Sequence, residues 1–142
     1  MGLDFQPIKV VMPIGAAANT SETEYPLLAA GSNYVQVIAV HLVDRAGMSG
    51  ASGSAYMQAT AYNKGAAGAG TVVVATRKNN AAKADYVAAY VPWSLTMSTT
   101  AGYDQLDPGE VLTLKIGGSG ANGTFTGLAA QVEYAIGYGG GL

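Results

Sequence analysis

The feature that most constrains this chain is a side-chain alternation of period two that returns in several short segments. In residues 111–116, "VLTLKI", Leu112, Leu114 and Ile116 oppose Thr113 and Lys115. In residues 129–137, "AAQVEYAIG", Ala130, Val132, Tyr134 and Ile136 oppose Gln131, Glu133 and Ala135. Residues 54–63, "SAYMQATAYN", set Tyr56, Gln58, Thr60 and Tyr62 against Met57, Ala59 and Ala61. In residues 90–98, "YVPWSLTMS", Val91, Trp93, Leu95 and Met97 fall on one side. Successive strand side chains point to opposite faces, so each such segment has one buried and one wetter face. Antiparallel sheets covered on one side have this pattern.

Other segments are strand-like without clean alternation. "NYVQVIAVHLVD" is nearly continuous apolar, as a central strand can be, and "TVVVAT" is short and β-branched. Turn-forming stretches separate them: "RAGMSGASG", "NKGAAGAG", "STTAGYDQLDPGE" and "GGSGANGTFTG". Helix is indicated weakly, by one or two possible turns in "NNAAKADYVAAY". Seven or eight short strands with such punctuation predict an all-β chain, an antiparallel β-sandwich of jelly-roll-like form. Its core is expected to include Val37, Ile38, Val40, Trp93, Leu95, Leu112, Leu114, Val132 and Tyr134.

The division expected along the chain is an N-terminal arm or edge strand and loop over residues 1–32, a sandwich over 33–138, and a flexible tail over 139–142. "FQPIKVVMPI" carries Pro7 and Pro13, and proline confines a strand to an edge. "NTSETEYPLLAAGS", ending at Ser32, has no clear period, as in a long loop or an extended arm crossing a neighbour. Charged residues make up 11% of the chain, against roughly 25% in ordinary soluble domains. A chain with so little charge is expected to bury part of its surface against another chain, unless Ser, Thr, Asn and Gly supply the solvated face. Phe5, Ile8, Val10, Met12, Tyr25 and Leu27 are the expected assembly contacts of the arm. Deleting residues 1–15 is expected to leave the sandwich folded but weaken association.

Catalytic chemistry finds little support. His41 is the one histidine, set in an apolar strand with no partner evident from the sequence, and reads as a satisfied core or interface residue. Asp104, Asp107 and Glu110 crowd one corner, "YDQLDPGE", but lack the ligand spacing of a calcium loop, and Asp-Pro-Gly is turn chemistry. "GSGANG", residues 118–123, has the letters of a dinucleotide fingerprint, yet strand-like sequence follows where a helix is required. The nine tyrosines could bind sugars or bases, but they are dispersed, so core or interface roles are expected. No cofactor or metal site is indicated, and the absence of cysteine excludes disulfides and thiolate metal sites. Seven scattered Lys and Arg form no nucleic-acid patch, and no apolar run approaches the roughly 20 residues of a membrane helix. The N-terminal segment lacks the features of a signal peptide, as in a chain made in a cytoplasm.

"LDPGEVLTLKI", the Gly-rich hairpin and "LAAQVEYAI" as a last strand resemble the end of the small β-sandwich virion proteins of tailed bacteriophages. Upstream, "VQVIAVHLVD" and "SGSAYMQATAYNKGAAGAGT" are similar to the sheet strands and hairpin of the same group. The resemblance spans roughly residues 33–138. It implies a virion protein assembled in the host cytoplasm, of the capsid decoration or cement type, commonly a homotrimer bound to the major capsid protein. Head-fibre, neck and tail-associated proteins share the same look. A carbohydrate-binding sandwich is the alternative of another class, and an exposed aromatic platform beside Asp or Asn would favour it.

Overall fold

The computed structural model describes residues 7–18, 22–47, 56–79, 88–119 and 124–137. Among them lie β1 (Ile8–Ala18), β2 (Thr23–Ala29), β3 (Tyr34–Asp44), β4 (Tyr56–Asn63) and β5 (Val72–Asn79). The short β6 (Trp93–Ser94), β7 (Thr96–Met97) and β8 (Gln105–Leu106) follow, then β9 (Val111–Ser119) and β10 (Thr124–Gly137). All pairings are antiparallel, and the described residues contain no helix. Phe5, the helix-prone residues 81–87 and the expected tail lie outside the described residues.

The pairing order is nested. β1 meets β10, β2 meets β9, β3 meets β8, and β4 meets β5. That is one long hairpin, folded at β4–β5. Rolling it brings β10 beside β3 and β9 beside β4, which gives sheet A, β1-β10-β3-β6 with β8 also on β3, and sheet B, β2-β9-β4-β5-β7. Successive long strands from β1 to β4 alternate between the sheets, as in a jelly roll. The predicted antiparallel sandwich is therefore the observed one.

The interior lies between the two sheets. Val37, Val40, Trp93, Leu95, Leu112, Leu114 and Val132 are buried there as expected, and Tyr134 packs against them half-buried. Ile38 does not join them and is 41% exposed. The cause is a β-bulge: Glu133 faces Ala39 and Tyr134 faces Val37, so Ile38 is the extra residue of β3. Inward positions change from Val35 and Val37 before it to Val40 and Leu42 after it.

Residues 90–98 are not one strand. β6 pairs with β3 in sheet A, and β7 pairs with β5 in sheet B. The segment crosses from one sheet to the other, burying Trp93 and Leu95 on the way, while Val91 stays 53% exposed. Arg77 closes the seam, its guanidinium 4.8 Å from the Trp93 ring and Nη1 donating to the Ser94 carbonyl at 2.9 Å.

Residues 1–32 are not set apart from the sandwich where they are described. β1 is an edge strand of sheet A, with shifts of register at Pro13–Gly15 and Gly15–Ala17, and β2 is an edge strand of sheet B. Leu27 is buried in the chain's own core, and Met12, Ile14 and Tyr25 pack against it. Removing residues 1–15 would thus strip an edge strand from sheet A and uncover β10, so the deletion is no clean test of association.

Two devices fix the strand ends. At "LDPGE" the Glu110 N–H donates to the Asp107 carbonyl at 3.0 Å, and Gly109 has φ 87°. Proline followed by a positive-φ glycine makes a type II turn, which delivers the chain into β9. Glu110 Oε2 accepts the Asp107 N–H at 2.8 Å and the Asn63 amide at 2.7 Å. At the end of β3, the fully buried Asp44 carboxylate accepts the N–H groups of Ala46 (3.0 Å), Gly47 (2.8 Å) and Gly127 of β10 (2.9 Å).

Candidate functional site

The outer face of sheet B carries a polar groove. Alternation along β4 turns Met57, Ala59 and Ala61 into the core and leaves Tyr56, Gln58, Thr60 and Tyr62 on the other side. β9 lies beside it, with Lys115 opposite Thr60 and Gly117 opposite Gln58. Together with Glu22 and Gly118 these residues line a groove of about 160 Å³. Gly118 is needed where the strands approach, because a Cβ there would collide with the Tyr56 carbonyl.

Hydrogen bonds hold the groove floor. Thr60 and Thr76 hydroxyls lie 3.0 Å apart, and Gln58 Nε2 donates to Thr76 Oγ1 at 3.2 Å. Lys115 Nζ is 2.9 Å from Glu22 Oε2, a pairing that raises the ammonium pKa above its ordinary value. At the rim the Thr113 hydroxyl donates to Glu24 Oε1 at 2.6 Å, and Lys64 Nζ lies 3.3 Å from the same oxygen. The Thr113 bond, opposed by burial and reinforced by Lys64, lowers the Glu24 pKa. Lys64 lies 5.9 Å from the Tyr62 ring centroid, and Lys78 lies 4.4 Å from that of Tyr56.

The outer face of sheet A differs in chemistry. Register sets Val11, Gln131, His41 and Ser94 in one row, Lys9, Glu133 and Ala39 in the next, and Pro13, Ala129 and Val43 on the far side. Lys9 and Glu133 are the charged residues at outward positions of β1, β3 and β10, and they face each other. Val11 is 62% exposed, and the bulge adds Ile38 to the same side.

The residues expected at an assembly contact divide between the two sheets. Ile8, Val10 and Met12 lie on β1, and Tyr25 and Leu27 on β2. Ile8 is 40% exposed, Val10 and Met12 are half-buried at inward positions, and Leu27 is buried in the core. Val11, 62% exposed at an outward position of β1 between Lys9 and Pro13, was not among them. Its position opposite Gln131 is set by pairing with the last strand, which no local pattern reveals.

His41 has a partner that the sequence did not indicate, since its Nδ1 and Ser94 Oγ share a hydrogen bond of 2.7 Å. The corner carboxylates have structural work: Glu110 closes the turn, and Asp104 Oδ2 accepts the Gln36 amide at 3.2 Å. Tyr103, 39% exposed, lines a hollow there with Asn63, Asp107 and Glu110. Residues 120–123 of "GSGANG" are outside the described residues, and strand β10 follows them.

No family model matches the chain, and no curated protein matches it. Among solved structures it is similar to a chain in the structure of infectious bursal disease virus Gx strain, with a TM-score of 0.36 and 16% sequence identity. The match covers 100% of this chain and 38% of that chain. A likeness this distant carries no argument about function.

Proposed function

We propose that the chain is a non-enzymatic structural protein of a virion and, more narrowly, a decoration protein seated on the outside of a capsid. The observation behind this reading is the unequal distribution of charge between the two outer sheet faces. Sheet B presents the Lys115–Glu22 and Lys64–Glu24 ion pairs. Among the described residues, the outward positions of β1, β3 and β10 in sheet A carry exposed Val11 and Ile38 and half-buried Val43 and Ala129. These surround one facing pair of charges, Lys9 and Glu133, with Asp104 bonded to Gln36 at the β8 side. A free monomer is kept soluble by charge dispersed over its surface. An outer face so poor in charge suits contact with another protein, and the major capsid protein or a second copy in a homotrimer would supply it. The jelly roll is compatible with this reading, as a fold that serves capsid and lectin domains alike.

The test is to purify virus particles from the native source and measure copy number by quantitative mass spectrometry. The expected result is a count comparable to that of the major capsid protein. Carrying Val11→Glu and Ile38→Glu together should abolish incorporation while the thermal midpoint of the isolated protein is kept. Absence of the chain from particles, or incorporation unaffected by both glutamates, would refute the proposal.

A further inference from the structure

We infer that the groove on the outer face of sheet B is a binding site for a neutral oligosaccharide. This goes beyond a structural role, and it stands on sheet B rather than on the charge-poor face of sheet A.

Three features carry the inference. The first is the placement of the aromatics. Tyr56 and Tyr62 stand at the two ends of one strand face, six residues apart, which separates them by about 20 Å at the rise of a β-strand. That is the reach of a short chain of sugar rings rather than one ring. Sugar rings have apolar C–H faces that pack on aromatic side chains, and a tyrosine offers a hydroxyl beside its ring.

The second feature is the floor between them. It consists of an amide and hydroxyls, from Gln58 and Thr60, with Thr76 behind them. Gln58 uses its Nε2 on Thr76, while its Oε1 has no partner among the described residues. The Tyr62 hydroxyl likewise has no hydrogen-bond partner among them. Polar groups in this state suit a ligand that carries many donors and acceptors of its own.

The third feature is the charge. The ammonium lining the groove, Lys115, is held by Glu22 at 2.9 Å. At the two ends Lys64, paired with Glu24, and Lys78 stand 5.9 Å and 4.4 Å from the ring centroids of Tyr62 and Tyr56, so a sugar would share these rings with an ammonium group. The Lys115–Glu22 pair presents donors and acceptors side by side with no net charge, and adjacent sugar hydroxyls can use both at once. An anionic ligand would have to compete with Glu22. An apolar peptide would bury the floor amide and hydroxyls without partners, which is costly. Gly117, opposite Gln58, raises no side chain from β9, and the Glu22 side chain lies over it, which brings the Glu22 carboxylate to the floor of the groove beside Gln58.

The test is a titration of the whole chain, followed by amide NMR, with four probes: cellohexaose, laminarihexaose, maltohexaose and a β-1,4-linked galactohexaose. At least one should shift the amides of Tyr56 to Tyr62 and of Lys115 to Gly118, with a dissociation constant in the micromolar to millimolar range. Tyr56→Ala and Tyr62→Ala should each weaken binding about tenfold, the scale of one lost aromatic contact. Tyr62→Phe should keep most of the affinity, and Gln58→Ala should lower it. Thermal melts of each variant exclude unfolding as the cause. The inference is overturned if none of the four probes shifts these amides at millimolar concentration. It is also overturned if binding survives both alanine variants, or if a sulfated oligosaccharide binds in preference to all four.

Discussion

Asp44→Ala offers a sharp test of how the sandwich is tied together. The side chain is fully buried, and its two oxygens accept three backbone N–H groups. Two of these close the turn after β3, and the third belongs to Gly127 of β10, 83 residues away in sequence. A hydrogen bond to a charged group contributes about 1.5–3 kcal/mol, so the gross loss for three is about 4.5–9 kcal/mol. Two effects reduce it. Truncation admits water to the N–H groups of Ala46 and Gly47, and it removes the desolvation of a buried charge. The net expectation is a loss of about 3–5 kcal/mol. Asp44→Asn should fall between alanine and wild type, because one oxygen still accepts while the new NH₂ faces donors. Urea unfolding, with midpoint and slope fitted separately, measures both. A loss under about 1 kcal/mol for the alanine variant would show that these bonds do not hold β3 to β10. An asparagine variant close to wild type would show that the cavity left by alanine, not acceptor count, sets the cost, since asparagine keeps the side-chain volume.

Leu114, fully buried, should lose about 2–5 kcal/mol on Leu114→Ala, whereas Lys115→Ala on the opposite face should lose about 0.5 kcal/mol or less. The reverse ranking in denaturant would overturn the register of β9. Gly109→Ala forces a side chain to φ 87° and should cost about 1–3 kcal/mol in thermal melts. The lowered pKa of Glu24 means that its contribution to stability is present above the ordinary carboxylate range and is lost as pH falls through the lowered value. Thr113→Val should shrink the loss of urea midpoint between neutral pH and about pH 3, and an unchanged pH profile would count against the Thr113 bond as its main cause.

Legibility in the sequence followed the regularity of each strand. β9 from Leu112 to Ile116 and β10 from Ala130 to Ile136 alternate cleanly, and their inward residues were foreseen. Phe125, fully buried at the start of β10, fell inside the stretch "GGSGANGTFTG" read as a turn, and Leu128 beside it was missed as core. β3 is apolar on both sides of its bulge, so nothing in "VQVIAV" told Ile38 from Val37 as the residue that turns outward. β2 escaped notice because its pairing shifts register between Pro26 and Leu28, which breaks the period. In residues 90–98 the alternation at Trp93 and Leu95 is real, but the backbone leaves one ladder and joins another between them. Half of the groove was visible as the outward set Tyr56, Gln58, Thr60 and Tyr62. Glu22, Lys115 and Gly117 reach it only through β2–β9–β4 pairing, between segments more than 30 residues apart.

The nested strand order has a kinetic consequence. β1 finds its partner in β10, with Ile8 opposite Tyr134 and nearly the whole described chain between them. Contact order is therefore high, and folding on the millisecond-to-second scale of all-β sandwiches is expected. During synthesis β1 emerges first and waits for the strand that flanks it. Until then β1 and β3 expose facing edges, and Met12, Val40 and Leu42 have lost part of their cover. Such edges pair readily with other chains. Refolding yield should thus fall as protein concentration rises, with β1 and β3 the strands most exposed to mispairing before β10 inserts between them.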